Sequence, residues 1–144
     1  MLTITQLYEN ALKTKERRGW DRIYIAVDIH ETFMFPTYNS SRSESYYPWS
    51  IATLKQLSDD PEVILILWTC SSDSHCSEYL EDFKFYRINF NYLNENPEIQ
   101  NTEYACFDKK MYTSMILDDK AGFDPLVDWQ EFYNTLRQIE KDKN

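Results

Sequence analysis

The chain has 144 residues, of which 42% are hydrophobic and 16% aromatic, so it is long enough to bury a core and too apolar to be disordered. Its net charge of −9 argues against broad nucleic-acid binding, which requires a basic face. The longest apolar run, residues 63–68, is far shorter than the roughly 20 residues that span a bilayer, so we expect no membrane partner.

The cysteines and the N-terminal segment bear on the cellular compartment. Cys70, Cys76 and Cys106 follow no disulfide-framework spacing, which favours free thiols in a reducing setting. Cys70 and Cys106 are most simply small buried hydrophobes. The N-terminal segment carries its charges after its apolar part, the reverse of a secretory signal. We therefore expect a cytoplasmic protein, and the lack of linkers and repeats predicts one domain over residues 1–144.

Amphipathic helices are predicted near both ends of the chain. Within residues 1–20, apolar side chains recur at helical spacing, and Gly19 is expected to end the helix. Residues 129–139 form a second such pattern, whose shared face consists of Trp129, Phe132, Tyr133, Leu136 and Ile139.

Three short apolar segments, residues 22–27, 63–68 and 115–117, predict buried strands. Each is apolar on both faces, as in parallel strands that are covered from each side. Helices are expected at residues 49–57 and 78–87, and a further short strand at residues 88–92. This alternation predicts an α/β fold: a three-layer Rossmann-like domain with a central, mostly parallel sheet.

Polar side chains follow each of the three apolar strands: Asp28, His30 and Thr32; then Thr69, Ser71 and Ser72; then Asp118 and Asp119. Because the carboxyl ends of parallel strands share one edge of the sheet, we expect these groups to converge there. Crowded carboxylates are costly without a cation or protons among them, and Mg²⁺ prefers oxygen ligands of this kind. Lys110 adds a candidate positive charge. The set suits phosphoryl transfer, with a carboxylate as nucleophile.

The same segments resemble, in order, the four motifs of the haloacid dehalogenase (HAD) superfamily of phosphohydrolases. VDIHET (residues 27–32) resembles the first motif, DxDx(T/V), and VILILWTCSS (residues 63–72) the second. The lysine of the third motif fits Lys110 best and Lys109 less well. MILDDKAGFDP (residues 115–125) resembles the fourth, so the likeness runs over residues 22–125.

The resemblance implies a role for each matched residue. Asp28 would be the nucleophile that forms an aspartyl-phosphate, and also a ligand of Mg²⁺. The His30 carbonyl, Asp118 and Asp119 would complete the protein's metal ligands. The phosphoryl group would bind at Thr69 and the adjoining Cys70, and Lys110 would neutralise it. A phosphorylated substrate and Mg²⁺ are thus the implied partner and cofactor.

Two residues depart from the family's first motif. His30 stands where the family's phosphatases have a second Asp, the general acid, and Glu31 stands at the usual glycine position. An imidazole with an ordinary pKa of about 6.5 can do acid–base work, and nearby carboxylates are expected to favour its protonated form. Glu31 is a second candidate acid. The alternative is weak activity or slow turnover of the phosphorylated enzyme.

The spacing of the motifs predicts a capless member of the family. Only 36 residues (33–68) separate Thr32 from Thr69, and 40 residues (70–109) separate Thr69 from Lys110. Neither interval has room for the family's cap domain, so the site is expected to be open. The loop at residues 38–49, with Arg42, Tyr46 and Tyr47, is its expected rim.

These observations favour a Mg²⁺-dependent phosphatase that acts on a phosphomonoester. The alternative is a catalytically impaired module of the same fold that binds a phosphorylated ligand or a protein. A phosphatase that processes nucleic-acid ends is compatible with an open site, but the net charge of −9 opposes it.

Overall fold

The helices and strands alternate along the chain from α1 to β3, and the three apolar segments predicted as buried strands all form strands. The structure is a computed structural model and describes residues 2–39 and 41–143. Its elements are α1 (Ile4–Arg18), β1 (Ile23–Val27), α2 (Ser50–Asp59), β2 (Val63–Leu67), α3 (Asp73–Phe85), β3 (Tyr92–Leu93), β4 (Met115–Leu117), a 3-10 turn (Asp119–Ala121) and α4 (Asp128–Asp142). Among the described residues, no helix combines the length and apolarity needed to cross a bilayer.

The four strands form one parallel sheet in the order β3-β2-β1-β4. Val27 of β1 pairs with Leu67 of β2 and with Leu117 of β4. The last paired residues of the three strands are therefore aligned across the sheet. The next residue of each strand lies at the same edge: Asp28, Trp68 and Asp118. This register brings distant parts of the sequence together.

One face of the sheet packs against all four helices. Alternate strand residues, such as Ile25, Leu65 and Met115, share a buried cluster with residues of α1, α2, α3 and α4. Strand side chains alternate between the two faces, so the opposite face carries Tyr24, Ile64 and Ile66, which form a second buried cluster.

The connection from β3 to β4 covers that opposite face. The chain moves from β1 through β2 to β3 in one direction and then returns to β4 beside β1. Right-handed crossovers put the outward connections and the returning one on opposite faces. Residues 94–114 make the return without a helix, and Ile99, Met111 and Tyr112 pack on the second cluster. The predicted fold class, a three-layer Rossmann-like α/β domain with a central parallel sheet, is confirmed.

Two elements differ most from the predictions. α3 begins at Asp73 instead of residue 78, because the Ser72 side chain caps the helix by accepting the His75 N–H. The strand predicted at residues 88–92 is reduced to Tyr92–Leu93. Ile88 is instead a core residue, and the Asn91 N–H donates to the Leu65 carbonyl before regular pairing begins.

Candidate active site

A cleft of about 750 Å³ opens at the carboxyl ends of the strands. Its volume is within the range of small-molecule sites. The lining comes from all three strand ends and from the loop after β3: Asp28, His30, Glu31, Trp68, Thr69, Cys70, Ser71, Asn94, Asp118, Asp119 and Lys120. The predicted convergence of polar groups from separate strands therefore occurs.

Three carboxylates meet at the base of the cleft. One oxygen from each of Asp28, Asp118 and Asp119 lies within 4.8 Å of the others, and all three residues are half-buried. The buried Thr32 hydroxyl lies 3.2 Å from Asp28 Oδ2 and 3.1 Å from Asp119 Oδ1. It also accepts the Asp119 N–H at 2.9 Å. Because a hydroxyl has one proton, Thr32 can donate to only one of these carboxylates at a time.

The acidic cluster makes ionisation of Asp28 costly. Partial burial raises the pKa of this carboxyl to about 7, and the nearby charge of Asp118 adds to the effect. The Thr32 hydrogen bond opposes the rise without cancelling it. A positive charge placed among the three side chains would therefore favour the ionised form of Asp28.

The donor set fits a hard divalent cation. Oxygen ligands of six-coordinate Mg²⁺, at about 2.0–2.1 Å from the ion, lie about 3 to 4 Å from one another. One oxygen from each of the three carboxylates lies within 4.8 Å of the others, close enough for a single cation to contact all three directly or through water. No hydrogen bond among the described residues ends on the His30 carbonyl oxygen. That oxygen is the fourth ligand that the motif resemblance implies.

The loop after β2 forms the wall that faces the acidic cluster. The Thr69 backbone is held by the Asn94 side chain, which accepts the Thr69 N–H at 2.8 Å and donates to its carbonyl at 2.9 Å. The Thr69 and Ser71 hydroxyls lie 3.0 Å apart. Cys70 lines the cleft and is exposed, so its prediction as a buried hydrophobe was wrong, as was that for Cys106. Both cysteines belong to irregular segments, Cys70 between β2 and α3 and Cys106 between β3 and β4.

His30 is held by a buried tyrosine. Its Nε2 lies 3.1 Å from the Tyr79 hydroxyl, which accepts the Ser43 N–H at 2.7 Å. Since Tyr79 is buried, its proton needs an acceptor, and His30 Nε2 is in reach. The imidazole is then neutral, with its proton on Nδ1. Burial lowers the pKa of His30. The nearby Glu31 carboxylate favours the protonated form, as expected, but burial outweighs it.

Glu31 has a backbone conformation that usually requires glycine. Its φ is 63°, in the left-handed region that non-glycine residues seldom adopt. The Glu31 N–H donates to the Met34 carbonyl at 2.9 Å, which stabilises the tight turn after Asp28. Glu31 also lines the cleft, and its Oε1 accepts a hydrogen bond from the Tyr38 hydroxyl at 3.3 Å.

The lysines are placed differently from the prediction. Lys110 is exposed and is not part of the cleft lining, whereas Lys120 lines it beside Asp118 and Asp119. Lys109 lines a neighbouring cleft. Both Lys109 and Lys110 belong to the irregular connection at residues 94–114, so no helix or strand directs them to the strand ends.

The loop predicted as the rim contributes unevenly. Tyr38 is 89% exposed and reaches Glu31, as expected of a rim residue. Arg42 is instead paired with Glu78 and Asp82 and lies over the ring of Tyr79. It is therefore committed to α3 and not to the cleft. Ser40 of this loop lies outside the described residues.

Sequence reasoning missed three residues that line the cleft. Lys120 and Asn94 were detectable in principle, because each comes within three residues of a strand end. Trp68 was included in the predicted strand as a core residue, but it follows the last paired residue of β2 and is 43% exposed.

Comparisons with known proteins bear on the fold. No family model and no curated protein matches the sequence. Among solved structures, a conserved protein from Bacteroides thetaiotaomicron is similar, with a TM-score of 0.63 and 24% sequence identity. The likeness covers 82% of this chain and 92% of that one. At this identity it supports the α/β architecture alone.

Proposed function

We propose that this protein is a Mg²⁺-dependent phosphohydrolase that cleaves a phosphomonoester through a phosphorylated Asp28. The observation that carries the proposal is the meeting of Asp28, Asp118 and Asp119 at the ends of two paired strands, within 4.8 Å of one another. The Thr32 contacts to Asp28 and Asp119 and the order of the sequence motifs, which resemble those of the HAD phosphohydrolases, support it further.

The chemistry follows from the nature of the groups. The Asp28 carboxylate attacks phosphorus, a new bond forms between its oxygen and phosphorus, and the bond to the leaving oxygen breaks. Water then attacks phosphorus, which releases inorganic phosphate and restores Asp28. Thr69 and Ser71 line the same cleft as the acidic cluster, and their hydroxyls are suited to donate hydrogen bonds to the phosphoryl oxygens.

Charge balance requires cations near the transferred group. Bound Mg²⁺ would neutralise charge on the phosphoryl oxygens and lower the pKa of Asp28. Asp28, Asp118, Asp119 and the His30 carbonyl are the residues that would hold it. Among lysines, we favour Lys120 over Lys110 for contact with the phosphoryl group, since Lys120 lines the cleft.

The leaving oxygen needs a proton from an acid. His30 is poorly suited, because Tyr79 occupies its Nε2 and burial lowers its pKa. Glu31 is the better candidate: it lines the cleft three residues after Asp28, in a turn held by the hydrogen bond from its N–H to the Met34 carbonyl.

Phosphate release from 4-nitrophenyl phosphate tests the proposal. We expect Mg²⁺-dependent turnover that EDTA abolishes, and a loss of about 10³-fold or more in Asp28→Asn, in keeping with removal of a covalent nucleophile. Asp21→Asn is the matched control, because Asp21 is exposed and precedes β1 at the opposite end of the strand. Absent activity in the wild type, or unchanged activity in Asp28→Asn, would contradict the proposal.

A second candidate function is a module that binds a phosphorylated ligand with little turnover. The Tyr79–His30 hydrogen bond favours it, because it leaves the usual general-acid position without an available proton on Nε2. His30→Asp distinguishes the two. A large gain in turnover would support the binding module, whereas similar or lower turnover beside a loss in Glu31→Gln would support the enzyme with Glu31 as its acid.

A further inference from the structure

A second cleft, of about 460 Å³, adjoins the proposed active site. Trp68 and Asn94 line both clefts and form their junction. The remaining walls come from the connection between β3 and β4, and their apolar part includes Ile99, Phe107 and Met111. A group attached to a phosphoryl at Asp28 would pass over Trp68 to enter this space.

Trp68 lies directly beside Asp28. The paired register of β1 and β2 ends at Val27 and Leu67, and the Trp68 N–H still donates to the Val27 carbonyl at 2.9 Å. In a parallel pair, neighbouring residues point to the same side of the sheet. Asp28 and Trp68 are therefore neighbours at the strand ends, on the side of the sheet where Trp68 lines the second cleft.

The exposure of this indole indicates a stacking surface. Ile64 and Ile66, which precede Trp68 on the same side of β2, are 4% and 0% exposed, whereas Trp68 is 43% exposed. The connection that buries the two isoleucines thus leaves the indole uncovered. A planar aromatic group is the complementary ligand, since stacking on tryptophan is favourable and needs no hydrogen bonds.

Two of the amide side chains in the second cleft are already hydrogen-bonded within the protein. The side-chain oxygen and nitrogen of Asn94 are both hydrogen-bonded to the Thr69 backbone. The Asn96 amide donates to the Tyr112 carbonyl and accepts the Glu98 N–H. The polar side chains of Gln100, Asn101 and Lys109 also line the cleft, and the exposed Trp68 indole adds a stacking surface at the junction.

The charges of the second cleft argue against a further phosphate. Glu95 and Asp108 line it together with one cation, Lys109, so the local balance is negative. A diphosphate or a polynucleotide would meet repulsion there, whereas an uncharged ring would not.

We propose that the second cleft is the leaving-group subsite and that the substrate is a phosphomonoester with a planar aromatic leaving group that stacks on Trp68. This inference rests on the proposed phosphohydrolase function. Two kinds of molecule carry that chemistry: aryl phosphates, whose ring is bonded to the ester oxygen, and nucleoside monophosphates, whose ring lies beyond a ribose.

Steady-state kinetics with three substrates test the subsite: phenyl phosphate, adenosine 5′-monophosphate and glycerol 3-phosphate. In Trp68→Leu we expect kcat/KM to fall about 10-fold for at least one aromatic substrate and to stay within about twofold for glycerol 3-phosphate. A loss confined to phenyl phosphate identifies an aryl substrate, and one confined to the nucleotide identifies a nucleoside. Equal losses for all three substrates, or no loss, would overturn the inference.

Trp49→Leu is the matched control, because Trp49 is 44% exposed and packs on Tyr133 of α4, away from both clefts. It should leave all three kcat/KM values unchanged.

A binding measurement separates failure of the subsite from failure of the proposed function. Tryptophan fluorescence of the wild type and of Asp28→Asn is titrated with adenosine 5′-monophosphate, phenyl phosphate and glycerol 3-phosphate. Quenching by an aromatic ligand that disappears in Trp68→Leu supports the subsite even if the protein releases no phosphate. Turnover without Trp68-dependent quenching or selectivity retains the phosphohydrolase and removes the subsite.

Discussion

The two faces of the sheet are built in different ways and serve different purposes. On one face, four helices bury alternate strand residues in a single large cluster. On the other, Tyr24, Ile64 and Ile66 lie under an irregular connection, residues 94–114, which packs through Ile99, Met111 and Tyr112, with Trp20 from the segment before β1 beside them. The second cleft opens on this thinner side, beside the acidic cluster at the strand ends.

The difference indicates a division between stability and access. Helices satisfy their own backbone hydrogen bonds and bury large side chains, so they hold the strand ends in register. An irregular connection buries less apolar surface and is free to line clefts, as binding loops on rigid scaffolds commonly do. We therefore expect substitutions on the helical face to lower the free energy of unfolding most. Substitutions in the connection at residues 94–114 should instead change ligand selectivity.

Paired aromatic truncations should give the largest difference between the two faces. Phe132 of α4 is 0% exposed and packs on Tyr8, so Phe132→Ala should lower the free energy of unfolding by about 3–5 kcal/mol. Tyr112 is half-buried and contacts Trp20, Tyr24 and Phe107 at their edges. Tyr112→Ala should cost about 1–2 kcal/mol, since less area is lost. Urea denaturation followed by circular dichroism measures both values.

The contrast fails if the two variants are equally destabilised. In that case the connection at residues 94–114 would be as much a part of the core as α4. Phosphate release at low urea concentrations is a second measurement. Tyr112→Ala should remain folded there and retain activity that can be assayed.

The contrast also explains which parts of the fold the sequence could predict. The strands and α4 carry strong periodic or continuous apolar patterns, because one burial direction dominates each of them. The strand ends converge by a rule of parallel sheets, so Asp28, Thr69 and Asp118 were correctly expected at one edge. In residues 94–114 no period is present, and tertiary contacts alone decide where each side chain lies. Lys110 was assigned to the site from that segment, and the structure leaves it outside the lining.

His30 marks another limit of sequence reasoning. Its partner Tyr79 is 49 residues away in the sequence, on α3. Burial lowers the pKa of an imidazole, whereas a nearby carboxylate raises it. A sequence shows the neighbouring acids but not the depth of burial, so the net direction of the pKa shift could not be predicted from it.

The two lysines provide a second, smaller test. Lys120→Met should lower kcat/KM for 4-nitrophenyl phosphate by about 10- to 100-fold, the size expected for losing one charged contact to a transferred phosphoryl group. Lys110→Met should change it by no more than about twofold, because Lys110 does not line the cleft. The reverse result would mean that the connection at residues 94–114 closes over the strand ends when substrate binds.

The smallest expected effect concerns the stability of the metal-free protein. The pKa of Asp28 is about 7 in the fold, against an ordinary value of 3.8, so the unfolded chain releases this proton first as pH rises. The folded state is then progressively disfavoured between about pH 4 and pH 7, and the full penalty applies above pH 7. Asp28→Asn removes the penalty. Allowing for the partial exposure of Asp28, we expect the variant to be more stable than the wild type by about 1–2 kcal/mol at pH 8 in EDTA.

Thermal denaturation at several pH values measures this difference, which should shrink towards zero near pH 4. Asp21→Asn, at an exposed position, should show no such trend. Mg²⁺ should stabilise the wild type but not Asp28→Asn, because a ligand that binds only the folded state adds to its stability. If Asp28→Asn is no more stable than the wild type at pH 8, the acidic cluster carries no stored electrostatic cost. The case that its three carboxylates are held together for a cation would then lose its energetic support.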